Sequence, residues 1–351
     1  MKAIVLDSPG QVRLAEMALP SPGPGEVLIR SRAVGICGSD VELYQGSRPQ
    51  GFSRYPLVPG HEWSGEVAAI GEQVHWLFVG DRVVTEGIMS DGTCANCRSG
   101  LTNLCEAGYD EIGFTRTGGL AEYVVVPARQ VHRLSRDASF EEAALLEPTS
   151  VVAQAFLHTT PRAGDTVVVI GDGAIGLLAV QILHLFSPGA LILAGSHDER
   201  LAIGRRLGAT HTINSRRDDV EQFVRDLTHG RGADLVFEGG SRAAGVELSM
   251  RLARRGGKVI LEGIAGASAR LSLESDTFVL KHLAVQGIFS ASSAAWAYAV
   301  QIFNAGLLQL APLITHRFAL PDYEAGLNLV IGRHEGALKV LLVHNESGGK
   351  L

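Results

Sequence analysis

The passage from Thr166 to Phe186 constrains the fold more than any other part of the chain. Thr166-Val-Val-Val-Ile-Gly171 is apolar without alternation, the pattern of a strand buried on both faces. It runs into Gly171-Asp172-Gly173-Ala174-Ile175-Gly176, and Ile175–Phe186 then has the spacing of a helix. Asp172, Gln181 and His184 interrupt the apolar character, which argues against a membrane span. Downstream, Ala190–Ala194 reads as a buried strand, Glu199–Leu207 as a helix, Ala233–Glu238 as a strand, Ala243–Leu252 as a helix and Lys258–Glu262 as a strand. Strands and helices alternating at this spacing predict βαβ units and an α/β, doubly wound parallel sheet.

A G-x-G-x-x-G between a strand and a helix has a physical use. Gly171 makes the tight turn, Gly173 lets a pyrophosphate approach the backbone, and Gly176 lets helix and strand pack closely. The first helical residues, Ala174 and Ile175, present N–H groups at the positive end of the helix dipole. In this context the motif predicts a dinucleotide site, the alternative being a bare structural turn. NAD enzymes commonly place an acid about 20 residues further on for the ribose 2′-hydroxyl. Here the second strand ends in Gly195-Ser196-His197, with Asp198 late and Arg200 after it. Ser196, His197 and Arg200 suit a 2′-phosphate and tilt the expectation toward NADP over NAD. Arg200 also reads as a solvated helix residue.

Before about Ser150 the texture is that of a β domain. Glu26–Ser31, Ser64–Ile70, Arg82–Glu86 and Ala121–Pro127 are short β-rich runs bounded by Gly, Pro and Asp. Ten of the 13 prolines precede residue 162, which favours irregular loops over helices there. A length of 351 residues implies about two domains. The net charge of −6 carries no footprint for nucleic acid or anionic lipid. The apolar part of the N-terminus is too short for a signal peptide. With only four cysteines, the expectation is a reduced, cytoplasmic protein rather than a disulfide scaffold.

Three of those cysteines, Cys94, Cys97 and Cys105, fall in one loop with Asp91 three residues before Cys94, in the pattern D-x2-C-x2-C-x7-C. Three thiolates and a carboxylate at this spacing fit a closed tetrahedral structural zinc site; free surface thiols are the alternative. The fourth, Cys37, lies in Gly35-Ile36-Cys37-Gly38-Ser39-Asp40, and further on come Gly60-His61-Glu62 and Leu146-Glu147-Pro148. Cysteine, histidine and carboxylate together can form an open zinc site with room for substrate. Taken singly, such a cysteine is most often a small buried hydrophobe.

In order along the chain, Gly-Ile-Cys37-Gly-Ser39-Asp40, Val58-Pro-Gly-His61-Glu62, Gly80-Asp-Arg-Val, the Cys94/Cys97/Cys105 lobe, Gly119-Leu-Ala-Glu-Tyr123, Glu147-Pro148, the glycine-rich turn and Pro312-Leu-Ile-Thr-His316-Arg-Phe resemble the zinc-dependent medium-chain alcohol and polyol dehydrogenases of the sorbitol dehydrogenase type. More narrowly, the segments around Trp63 and from Gly113 to Gly118 are similar to 2-deoxy-scyllo-inosamine dehydrogenases. The resemblance implies a GroES-like catalytic domain made of residues 1–150 and 290–351 and a Rossmann domain of 151–289. It implies two zinc ions per chain and a dimer or tetramer. It also implies that Cys37, His61 and a glutamate hold the catalytic zinc, Glu147 matching the family position and Glu62 being an exchangeable candidate.

By the same resemblance Ser39 accepts the proton of a secondary alcohol, and Glu86, Phe114 and Arg116 line its pocket. Many relatives carry a histidine five residues after the catalytic cysteine as the outer end of a proton relay; here that residue is Glu42. A carboxylate near its usual pKa is poorly matched to that task. Two other functions fit a chain of this fold: a zinc-free quinone or enone reductase, and a non-enzymatic dinucleotide-binding redox sensor.

Overall fold

The structure, a computed structural model, describes residues 1–266, 268–332 and 336–344. The chain divides into two compact units, Met1–Glu147 with Ala291–Leu351, and Pro148–Ser290. Among the described residues no helix is long and apolar enough to cross a membrane.

The first unit is built on a seven-stranded sheet. Its order is Ile314–Ala319, Lys339–Val343, Glu26–Ile36, Glu62–Ile70, Arg82–Thr85 and Val131–Arg133, with Tyr123–Pro127 also pairing the long strand Glu26–Ile36. Pairing is antiparallel except between Ile314–Ala319 and Lys339–Val343. A hairpin of Lys2–Ser8 and Gln11–Glu16 packs its apolar residues into the same core as Val27, Ile29, Trp63, Val67 and Tyr323. The β texture expected for this region is present, and Glu42 lies on a short helix, Gly38–Gln45. A second helix, Leu146–His158, begins at the end of this unit, with Pro148 in its first turn, where a missing N–H leaves no hydrogen bond unmade.

The second unit contains six parallel strands in the order His211–Asn214, Ala190–Gly195, Thr166–Ile170, Ala233–Glu238, Ala253–Leu261 and Ala284–Gly287. In chain order this is 3-2-1-4-5-6, the doubly wound dinucleotide arrangement, with its switch point beside Thr166–Ile170. That strand is buried from Val167 to Ile170, and so are Ala190–Gly195 and all but one residue of Ala233–Glu238, which explains the unalternating apolar runs. The helix Ala174–His184 buries every residue from Gly176 to Leu183. The strand expected from Lys258 starts earlier, at Ala253. Arg254-Arg255-Gly256-Gly257 hides its beginning from pattern reading, and a register shift accommodates it between Ala233 and Leu235.

The turn after the first strand depends on close approach. Gly171 has φ 109°, a left-handed conformation that glycine adopts readily. A Cβ on Gly176 would fall on the carbonyl oxygen of Gly171. Gly176→Ala is therefore expected to destabilise this unit by roughly 1–3 kcal/mol through overpacking, read as a lower urea midpoint at unchanged slope. An unchanged midpoint would show that the turn relaxes freely.

Candidate active site and metal centres

The reactive side chains of the first unit gather where the strand Glu26–Ile36 ends. Antiparallel register sets Gly35 opposite Glu62 on one side and opposite Leu341 on the other, with Ile36 facing Val340. The end of one strand and the beginnings of its two neighbours thus bring Cys37, His61, Glu62 and Lys339 together. Gly35 leaves the room for this, since a Cβ there would fall on the Glu62 carboxylate.

Ligand atoms of Cys37, His61 and Glu62 all lie within 4.8 Å of one another. His61 and Glu62 are buried and Cys37 is half-buried. Cys37 precedes the helix Gly38–Gln45, and its N–H donates to Asp40 Oδ2 at 2.8 Å. The other Asp40 oxygen stands 3.7 Å from His61 Nδ1, and both of these buried atoms lack a hydrogen-bond partner. Ser39 Oγ is 3.3 Å from His61 Nε2. Burial opposes charge on His61, but Asp40, Cys37 and Glu147 outweigh it and hold the pKa well above the ordinary histidine value. A thiol, an imidazole and a carboxylate within 4.8 Å of one another, in surroundings whose acids favour a cation, suit a divalent metal.

Glu147 lies outside this trio, in the first turn of Leu146–His158. The residue is part-exposed, yet its carboxyl sits deep enough for burial to push it up to about 8, with Glu62 and Glu111 adding to the rise and His61 and Lys339 opposing it. Glu62 is held differently. Lys339 Nζ donates to both of its oxygens, and each side chain is at most 5% exposed. Burial works against charge on Lys339, but Glu62, Cys37 and Glu147 push its pKa up to about 12.

Phe114 packs on His61, ring centroids 4.6 Å apart, and the Arg48 guanidinium lies 3.8 Å from the Phe114 centroid. Arg48 donates to Tyr109 Oη at 3.2 Å, and Tyr109 donates to the buried Glu111, whose pKa burial raises. The other residues marked as pocket lining lie in different settings. Glu86 faces His132 Nε2 at 3.0 Å and accepts from Ser293 Oγ at 2.7 Å, while Arg116 pairs with Asp110 and is more than half exposed. Glu42 is half-buried, with Arg48 3.8 Å away.

Asp91, Cys94, Cys97 and Cys105 form the second group with ligand atoms within 4.8 Å. Backbone N–H groups point at it. Cys94 Sγ accepts from Cys97 and Glu106 at 3.4 and 3.5 Å, Cys105 Sγ from Asp91 at 3.3 Å, and Asp91 Oδ1 from Thr93 and Cys94 at 2.7 and 3.0 Å. These donors lower the pKa values of Asp91 and Cys94, whereas burial pushes Cys97 up to about 12. The aimed donors favour anionic ligands, which fits a bound cation.

In the second unit, Gly173 caps the helix Ala174–His184 in an extended conformation with no side-chain cap, leaving the first N–H groups, Ala174 and Ile175 among them, for a ligand. Ser196 and His197 follow the strand Ala190–Gly195, and Arg200 lies half-buried in the helix Asp198–Arg206.

Lys339 and Glu111 had no role in the sequence reading, and Asp40 entered it only as part of a motif. Lys339 left one signal, a lone charge opening the apolar strand Lys-Val-Leu-Leu-Val. Asp40 left another, an acid three residues after the residue that caps a helix.

Removing Lys339 would leave Glu62 charged and buried. Lys339→Met is expected to destabilise the first unit by about 3–5 kcal/mol, and Lys339→Met/Glu62→Gln to recover most of that loss. The folded pKa of Lys339 lies above its ordinary 10.5. The pair's contribution is therefore full below that pH and is lost as pH rises through about 12. Equal destabilisation by the single and double variants, in urea titrations at neutral pH, would contradict the pairing.

Comparison with known proteins matches residues 23–136 to the alcohol dehydrogenase GroES-like domain and residues 174–305 to the zinc-binding dehydrogenase domain. An erythritol/L-threitol dehydrogenase of Mycolicibacterium smegmatis is 34% identical over 98% of this chain and 97% of that protein. A zinc-binding dehydrogenase from Sinorhizobium meliloti 1021, solved bound to NADP, superposes with TM-score 0.90 at 29% identity, covering 97% of this chain and 98% of the other. An alcohol dehydrogenase from Escherichia coli CFT073, solved with NADH, gives TM-score 0.89 at 29% identity over 98% of this chain and 99% of the other. With two donor groups suited to zinc and a dinucleotide sheet, the chain belongs to the zinc-dependent medium-chain alcohol dehydrogenase family, enzymes that oxidise alcohols with NAD(P).

Proposed function

We propose that this enzyme reversibly oxidises a secondary hydroxyl of a small polyol, using a zinc site made by Cys37, His61 and Glu62 with Glu147 as the alternate carboxylate. The meeting of the first three within 4.8 Å, with Asp40 behind the histidine, carries the reading. The similarity to an erythritol/L-threitol dehydrogenase supports a short polyhydroxylated substrate. Zinc, when bound, supplies Lewis acidity that lowers the substrate hydroxyl's pKa, and the nicotinamide, when bound, supplies the carbon that takes the hydride.

The chain's own residues orient and move the proton. Ser39 Oγ, within reach of the His61 ring, accepts the hydroxyl proton and passes it toward solvent. Asp40 fixes the Cys37 backbone and sets the His61 ring, the usual part of a carboxylate behind a metal-binding histidine. Lys339 keeps the charge of Glu62 balanced inside the protein. Phe114 walls one side of His61 and excludes water. Asp91, Cys94, Cys97 and Cys105 hold the second, structural zinc.

We assign the second unit's far edge to self-association. Ala284–Gly287 ends the six-stranded sheet, and the nearby Val279, Leu280 and Phe289 are 79%, 68% and 42% exposed. An apolar sheet edge of this kind pairs readily with another copy, which supports a homo-oligomer. Four free thiols with metal roles suit a reducing, cytoplasmic setting.

Metal analysis is expected to find two zinc ions per chain in the wild type and one in Cys37→Ser. That variant should lose turnover on the order of a thousandfold, since several kcal/mol of charge stabilisation disappears at about 1.4 kcal/mol per tenfold. Near-wild-type turnover in Cys37→Ser would overturn the assignment. Sedimentation is expected to show an oligomer that Val279→Asp/Leu280→Asp converts to monomer; an unchanged sedimentation coefficient would move the interface elsewhere.

A further inference from the structure

The glycine-rich turn carries an acid that its dinucleotide role leaves unused. Asp172, between Gly171 and Gly173, is only 6% exposed. Its carboxylate is turned to the end of the strand Ala190–Gly195, where Oδ2 accepts the N–H groups of both Ser196 and His197 at 2.7 Å. The His197 ring joins the same carboxylate, with Nδ1 3.1 Å from Oδ2 and 3.3 Å from Oδ1. Gly195 completes the arrangement. A Cβ there would stand 2.5 Å from the Asp172 Cβ and 2.7 Å from its Oδ2, so the strand ends in the residue that admits this acid.

In this class of sheet, an acid at the tip of the second strand receives the ribose 2′-hydroxyl of NAD. Here a carboxylate reaches the same tip from the first turn. We propose, on the reading that this unit binds NAD(P), that Asp172 makes the enzyme select NAD over NADP. Its oxygens take up the two backbone N–H groups that a 2′-phosphate would need, and its charge repels that phosphate. A free ribose hydroxyl can instead donate to it.

One nearby cation is committed to a different acid: Arg217 gives both terminal nitrogens to Asp198, at 2.7 and 2.8 Å. Arg216, exposed just beyond the strand His211–Asn214, is the cation placed to argue for the phosphate. The residue types Ser196, His197 and Arg200 favour NADP, and the placement of Asp172 favours NAD.

Titrating the purified, zinc-loaded enzyme with NADH and with NADPH, by the cofactor's own fluorescence, separates the outcomes. NADH is expected to bind at least about tenfold more tightly than NADPH. Asp172→Asn should shrink that ratio to under about threefold, chiefly by tightening NADPH. A role confined to holding the turn would weaken both cofactors alike and leave the ratio unchanged, and that result overturns the proposal. Equal or tighter NADPH binding by the wild type also overturns it while leaving the dinucleotide site in place, and it decides the matter even if Asp172→Asn fails to fold. Binding of neither cofactor would remove the dinucleotide reading itself.

Discussion

A carboxylate and an ammonium, both out of water, stand at the end of the central strand of the first unit. Neither Glu62 nor Lys339 is tolerable there alone, because an unpaired buried charge costs far more than a paired one. Their pairing depends on the antiparallel register of three strands, and that same register places Cys37 and His61 beside them. The geometry of this candidate metal site is thus tied to the sheet and not to a loop that could drift. Asp40 adds a second tie by holding the Cys37 backbone and facing the His61 ring. Loss of register by one residue would turn these side chains to the other face of the sheet.

The two donor groups illustrate different ways of presenting a metal with ligands. The lobe of Asp91, Cys94, Cys97 and Cys105 is local, and backbone donors aimed at it stabilise negative side chains. The group around Cys37 and His61 is assembled from segments far apart in the chain, with Ser39 close to the ring and an aromatic wall on one side. Local assembly suits a permanent structural ion. Assembly from rigid strands leaves a ligand position for substrate while fixing the others.

What could be read from the residues alone follows from how far each interaction reaches. The strand Thr166–Ile170 and its turn were legible because burial on both faces writes an uninterrupted apolar run and the turn needs glycine at particular positions. The cysteine lobe was legible because its four candidate ligands sit within one loop. Lys339 was not, since its partner lies 277 residues away and only the folded register brings them together. Asp172 was masked inside the glycine motif, where its position counts as variable, and nothing local marks that its carboxylate meets Ser196 and His197. The start of Ala253–Leu261 was hidden by a pair of arginines and a pair of glycines that read as a turn.

The discontinuity of the first unit bears on the order in which the protein is made. Glu62 leaves the ribosome early, but the lysine that neutralises it is encoded after the whole of the second unit. At ordinary rates of synthesis that delay is roughly 15–55 s. Throughout it, the nascent sheet lacks the strand Lys339–Val343, and the edge of Glu26–Ile36 that this strand will cover stays open. The Pro148–Ser290 unit, continuous in sequence, has all of its strands before then. The unit that carries the candidate metal groups therefore closes after the second unit's strands are made, around a charge pair whose members flank that unit in the sequence.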